Sequence, residues 1–297
     1  MRKRTSSVCS FLVVFATVSL ASAHLPDGEL FFAAQFPDHL VPTIDGMHGD
    51  WDILPVQPYT IDNSKLFDPA QFQAAARGGA DASDANIRHR FGWNENFNKI
   101  YLASEIYDNI HNIDRSFGDC HCLDDNWEFE VNPDHSASED QNNAGNPVNN
   151  ISYKWVVPPL DGVYQSIEPI GDLAWLSDGT DTVSMGWSFT GEQFGESTYY
   201  YEISLTPIDA LARENATPEN TDFHDLEEEE IIHMSVTMGD IDVEQANHAY
   251  QGFWSLSPES CCKGVNDFVM APVEDALANI SAVEATSWGQ IKSGFDR

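Results

Sequence analysis

Hydrophobic and polar residues alternate with a period of two over most of the chain, the signature of strands with one buried and one wet face. The longest run is Lys99-Ile100-Tyr101-Leu102-Ala103-Ser104-Glu105-Ile106-Tyr107, which breaks at Asp108-Asn109. Over 127–131, Trp127, Phe129 and Val131 share one face, and Glu128 and Glu130 take the other. The same spacing groups Ile151, Tyr153, Trp155 and Val157, then Val183, Met185, Trp187 and Phe189. It recurs in Tyr199, Tyr201, Ile203 and Leu205, and in Ile232, Met234, Val236 and Met238. Shorter strands are predicted over 252–256 and 267–270, and helical pattern is confined to 69–76 and, after Pro207, 208–213. Polar, turn-rich segments at 135–150, 176–181 and 214–225 separate these runs. Eight or more short strands with polar loops predict an all-β fold, an antiparallel two-sheet β-sandwich of immunoglobulin or jelly-roll type. Strict alternation fits sheets that keep one face wet, rather than a doubly covered parallel sheet.

Four features follow one another along the chain. An acidic turn, Ile44-Asp45-Gly46 and Gly49-Asp50-Trp51-Asp52, precedes the strand that ends at Asp108-Asn109. Asp124-Asp125-Asn126 then leads into Trp127–Val131, which stops at Asn132-Pro133-Asp134, and the last feature is the run from Tyr200 to Pro207. In order and chemistry they resemble family 9 carbohydrate-binding modules and the related DOMON-like sandwich domains that bind sugars or haem. The resemblance spans about residues 42–272. It implies core positions for Trp51, Trp93 and Trp127, and an acidic pair near a ligand or metal after the first strand. That pair is Asp108-Asn109 here, a departure from two carboxylates.

The ends change the picture. Arg2-Lys3-Arg4, an apolar stretch from Phe11 to Leu20 and Ala21-Ser22-Ala23 form a three-part export signal over residues 1–23. The apolar stretch is shorter than the ~20 residues a membrane span requires. Residues 24–297 are then expected to be one sandwich domain, secreted or held at the cell surface or in the periplasm. The whole chain carries 48 acidic and 14 basic groups, a formal charge of −34. Such charge repels phosphate backbones and excludes nucleic acid as a partner. It favours solubility and cations.

Once Cys9 leaves with the signal, the cysteines are Cys120, Cys122, Cys261 and Cys262. An even number in an exported chain predicts disulfides, drawn as two long-range bridges between the pairs because neighbouring cysteines rarely bond. Four thiolates with His121 as a spare ligand could instead hold a metal, but spacers of one residue and none are shorter than structural zinc sites favour.

Sugar rings expose flat C–H patches, so glycan sites pair aromatic platforms with polar side chains. Trp175, in the loop-like stretch Gly171–Gly179, and Trp254, out of phase near a turn, are the candidate platforms. Trp155 and Trp187 have apolar partners in phase and read as core. Tyr107, Asp108 and His111 complete the candidate ligand set, with a polysaccharide or oligosaccharide as partner. Calcium is the expected ion because hard cations want several oxygens, with Asp45, Asp50, Asp52, Asp124, Asp125 and Asp134 as candidate ligands. No carboxylate spacing signals a catalytic pair. The expected function is therefore non-catalytic glycan binding. The alternatives are a haem-binding sandwich using Met185, Met234, Met238, Met270 or His233, or a cell-surface structural protein that has lost its sugar.

Overall fold

The computed structural model describes residues 26, 28–68, 78, 81–113, 121–135, 147–149, 151–156, 164–168, 171, 173–192, 194–242, 250–258 and 266–280. The predicted export signal, the helix over 69–76, and Cys120, Cys261 and Cys262 lie outside the described residues.

Fourteen strands make up the described fold. They are β1 Leu30–Gln35, β2 Thr60–Asp62, β3 Ala85–Asn94, β4 Lys99–Asp108, β5 Asn126–Asn132, β6 Ile151–Val156 and β7 Tyr164–Glu168. After them come β8 Val183–Gly191, β9 Ser197–Leu205, β10 Ile208–Ala210, β11 Asp222–Phe223, β12 Ile231–Asp240, β13 Gly252–Ser255 and β14 Asn266–Met270. One sheet runs β7-β6-β5-β12-β14-β1 with β13 beside β12, and the other runs β1-β3-β4-β9-β8 with β2 beside β3. The fold is thus the expected all-β sandwich. Its sheets meet along β1, whose first residues pair with β14 and whose last two, Ala34 and Gln35, pair with β3. Both of those pairings are parallel, a departure from an otherwise antiparallel fold.

The core forms where the two alternating faces meet. Phe129, Val236, Ile203, Leu102 and Phe268 pack between the sheets, and the Trp127 indole stacks on Tyr201 with centroids 4.9 Å apart. Trp51, Trp93 and Trp127 are fully buried, as the pattern predicts. A second apolar cluster, including Phe36, Trp51 and Tyr101, lies outside the second sheet and covers part of its outer face. Glu202 fixes this cover. Its buried carboxylate accepts from Trp51 Nε1 (2.8 Å), Gly46 N (2.6 Å) and Asp45 N (3.0 Å). Gly46 has φ +78°, and a Cβ there would come within 2.2 Å of the Trp187 backbone, so the turn requires glycine.

Three expectations need correction. The segment predicted as a helix over 208–213 is not helical: β10 pairs with β11, Leu211 exchanges both backbone hydrogen bonds with Val148, and a bend follows at Arg213. This pairing buries Leu211 and satisfies its backbone, which a surface turn of helix would not do. Trp187 is 37% exposed, not core, because β8 is an edge strand. Trp254 is the reverse: at 5% exposure it belongs to the core between the sheets and offers no open platform.

Candidate functional site

Two features at one end of the sandwich bear on function. The first is a knot of carboxylates where strands β4 and β12 end. Asp108 closes β4, Asp240 closes β12, and Asp125 sits just before β5, which pairs with β12. All three are buried, and Asp242 and Asp84 flank them. Asp125 ties the ends together, accepting from Asn112 N (2.7 Å) and Ile241 N (2.6 Å). Asp108 accepts from Ile110 N (2.9 Å) and from the Tyr199 hydroxyl (3.2 Å). His111 lies 3.3 Å from Asp125 and its ring packs on Tyr199 at 4.3 Å.

Asp240 is the exception. It is 1% exposed; the Trp254 indole N–H faces it and partly offsets the effect of burial, without reaching full hydrogen-bond geometry. Burial raises its pKa to about 8, reinforced by Asp108, Asp242 and Asp84. Burial also lifts Asp242 to about 6, and raises Asp108 and Asp125. Asp108, Asp240 and Asp242 each bring an oxygen within 4.8 Å of the others, as do the ligand atoms of Asp108, His111 and Asp125. Uncompensated buried carboxylates are costly, and a hard cation with six to eight oxygen ligands relieves that cost. The residues fit such an ion.

The second feature is the uncovered outer face of β3, β4, β9 and β8, immediately behind this knot. Register puts Asn86, Tyr107, Thr198 and Thr190 in one row across the four strands. The next row holds Arg88, Glu105, Tyr200 and Ser188. No aliphatic side chain interrupts these rows. A cleft of about 510 Å3 is lined by Tyr107, Thr190, Glu192, Glu196 and Thr198. Another of about 360 Å3 is lined by His48, Asp52, Arg88, Arg90, Glu105 and Tyr200. Arg88 pairs with Glu105 at 3.0 Å and Arg90 with Asp52 at 3.3 Å, fixing both guanidinium groups over the face. The His48 ring meets Tyr200 edge-on at 5.0 Å, and burial lowers its pKa to about 4, so it is neutral near pH 7.

The ligand set expected from the sequence is therefore divided. Tyr107 lies on the open face, whereas Asp108 and His111 lie beneath it in the carboxylate knot. Trp175 is half-buried elsewhere, its indole N–H donating to Ala216 O at 3.1 Å and its ring against Phe223. The six aspartates named for calcium do not converge. Asp45 and Asp50 brace the opening turn by accepting from Met47 N and Thr43 N, and Asp52 pairs with Arg90. Asp134 sits by Asn149, and Asp124 is buried next to Asp125. Of the six, only Asp125 belongs to a metal-competent group among the described residues. Asp240, Asp242, Tyr200 and Arg88 were missed. The acidic Asp240-Ile241-Asp242 after an alternating strand was the available signal for two of them. Cys122 is a buried half-cystine whose partner lies outside the described residues. The methionines named for haem are packed in the core, and His233 points from the opposite face of its strand.

No family model matches the chain, and no curated protein matches it. Among solved structures, a family 9 carbohydrate-binding module from Caldicellulosiruptor kristjanssonii is similar in two complexes. The glucose complex has 13% identity and a TM-score of 0.47, over 85% of this chain and 100% of the module. The cellotriose complex has 13% identity and a TM-score of 0.48, over 85% of this chain and 98% of the module. Likeness at this level does not transfer a ligand.

Proposed function

We propose that this protein is an exported, non-catalytic glycan-binding module whose ligand lies across the outer face of β3, β4, β9 and β8. The observation that carries this reading is the pair of side-chain rows on that face, in which half-exposed Tyr107 and Tyr200 are set among Arg88, Glu105, Thr198, Thr190 and Ser188. Tyrosine faces suit the C–H patches of a pyranose. Arginine, carboxylate and hydroxyl groups suit its hydroxyls, each able to donate, accept or do both. The face is broad and open, which fits a polysaccharide or oligosaccharide better than a small enclosed metabolite.

Calcium belongs to the same reading. Asp108, Asp125, Asp240 and Asp242 would hold it, with Asp84 alongside, and the ion would supply the positive charge that these carboxylates lack. Asp108 and Tyr199 point inward from the same strand ends that carry Tyr107 and Thr198 outward, so the ion would stiffen the floor of the glycan site. Two bridges between Cys120, Cys122 and Cys261, Cys262 would staple the loops around this end.

The test is retention on a panel of soluble polysaccharides by affinity electrophoresis, with native protein, Tyr107→Ala and Tyr200→Ala run in parallel. Retention of the native chain with release of both variants is expected. Lack of retention on every polysaccharide, or variants held as tightly as the native chain, would reject the reading.

A further inference from the structure

On the opposite side of the sandwich, the outer face of the first sheet gathers His135, His233 and Asp267, residues far apart in the chain. His233 on β12 is directly opposite Asp267 on β14 and, on its other side, opposite Asn132 on β5. His135 follows β5 in a tight turn whose N–H returns to Asn132 O, with φ +54° at His135 itself. Three neighbouring strands thus bring two imidazoles and one carboxylate to one point. The ring centroids of His135 and His233 are 4.2 Å apart.

The distances are informative. Asp267 Oδ1 lies 3.2 Å from His135 Nε2 and 3.1 Å from His233 Nε2. Two ligands held about 2.0–2.1 Å from a tetrahedral zinc ion are separated by roughly 3.3 Å, the edge of the tetrahedron. The two histidine–aspartate separations are close to that edge, and all three ligand atoms lie within 4.8 Å of one another. Imidazole nitrogen with one carboxylate oxygen is a donor set for zinc and its neighbours in the transition series, not for calcium, which prefers oxygen alone. Access exists, because the His135 side chain is 35% exposed while His233 is fully buried and Asp267 is 12% exposed. Burial of His233 holds its rotamer and limits the rearrangement that binding requires.

We propose that His135, His233 and Asp267 form a second cation site, selective for zinc-class divalent ions and separate from the carboxylate knot. Each histidine coordinates through Nε2 with its ring proton on Nδ1, Asp267 coordinates as the carboxylate, and water completes the sphere on the His135 side. The ion ties the turn after β5 to β12 and β14.

Titration calorimetry with zinc chloride, in buffer containing enough calcium to saturate the carboxylate knot, tests this directly. The native protein should bind zinc, and cobalt(II) should give the intense visible absorption of a tetrahedral site. Because loss of even an outer partner of a metal ligand costs about 10–100-fold in affinity, His135→Ala should weaken zinc at least tenfold. His135 lies at the surface, so this variant should keep the native circular dichroism, and Asp267→Asn provides an independent second loss. No zinc binding by the native protein, or undiminished binding by His135→Ala, overturns the proposal. Glycan retention is read separately and does not bear on it.

Discussion

At the scale of single residues, the opening turn depends on Glu202. A carboxylate on the outer face of β9 would ordinarily be wet, but three donors converge on this one, and burial raises its pKa despite them. Asp45 and Asp50 were expected as calcium ligands and Trp51 as core; Trp51 is core, and the turn that carries all three wraps onto Glu202. Nothing in Tyr200-Tyr201-Glu202 announces this, because period-two alternation marks Glu202 as solvent-facing and cannot see a turn more than 150 residues away. Replacing Glu202 with Ala leaves the Trp51 indole N–H and the Gly46 N–H buried without acceptors, while Asp45 N keeps Thr43 O. The expected loss is about 2–4 kcal/mol of stability, read as a lower urea midpoint at unchanged slope. Glu202→Gln retains one acceptor oxygen and should lose less. Equal losses for the two variants would contradict the hub role.

At the scale of elements, legibility followed alternation. β4, β5, β8, β9 and β12 were readable because apolar residues fill most inward positions, with Ser104, Asp108 and Asp240 as polar exceptions. β3 was not, since its inward series Ile87, His89, Phe91, Trp93 contains a histidine. That histidine is fully buried, hydrogen-bonded to Ser104 Oγ at 2.7 Å, and its pKa is lowered to about 3 by burial, so it behaves as a neutral core residue. β1 escaped for the opposite reason: after exposed Leu30, Phe31-Phe32-Ala33-Ala34-Gln35 is covered or half-covered on both faces and has no polar phase to mark a period of two. The candidate site suffered similarly. Two rows across four strands are a property of register, which no single strand encodes. The rows lead to a contrast between tryptophan and tyrosine. Trp254→Ala should cost about 3–5 kcal/mol of stability, as expected for a core aromatic, and alter glycan binding only through unfolding. Tyr200→Ala should leave the urea midpoint nearly unchanged and weaken the glycan by about 1–2 kcal/mol, roughly five- to thirtyfold in Kd. Differential unfolding and affinity electrophoresis on the same preparations separate the two. A Tyr200→Ala variant that unfolds early but binds normally when folded would remove that side chain from the site.

At the scale of the whole molecule, a formal charge of −34 makes every buried carboxylate harder to ionise, and the knot at the end of β4 and β12 concentrates the problem. Burial pushes Asp240 up to about 8 in the folded protein, from the ordinary 3.8, and Asp242 up to about 6. An acid whose pKa is raised by folding binds protons more tightly in the native state than in the unfolded one. Stability then falls as pH rises, beginning near the unfolded pKa and levelling off above the folded one. In EDTA these acids should lower the melting temperature as pH rises from about 4 to about 8; His48 and His89, held neutral by burial with pKa about 4 and about 3, oppose them below about pH 6.5, so the net decline should be clearest between about pH 6.5 and 8. Calcium replaces the missing protons with positive charge and should reverse the decline, so its stabilising effect should be small at pH 4–5 and largest near pH 8. Asp240→Asn mimics the protonated side chain. In EDTA it should match the native protein near pH 4 and exceed it increasingly up to pH 8, and it should blunt the gain from calcium. Thermal melts of the two proteins at each pH, with EDTA and with calcium, give four curves. Native curves that rise between about pH 6.5 and 8 in EDTA, or an Asp240→Asn protein that gains as much from calcium as the native one, would place the ion elsewhere.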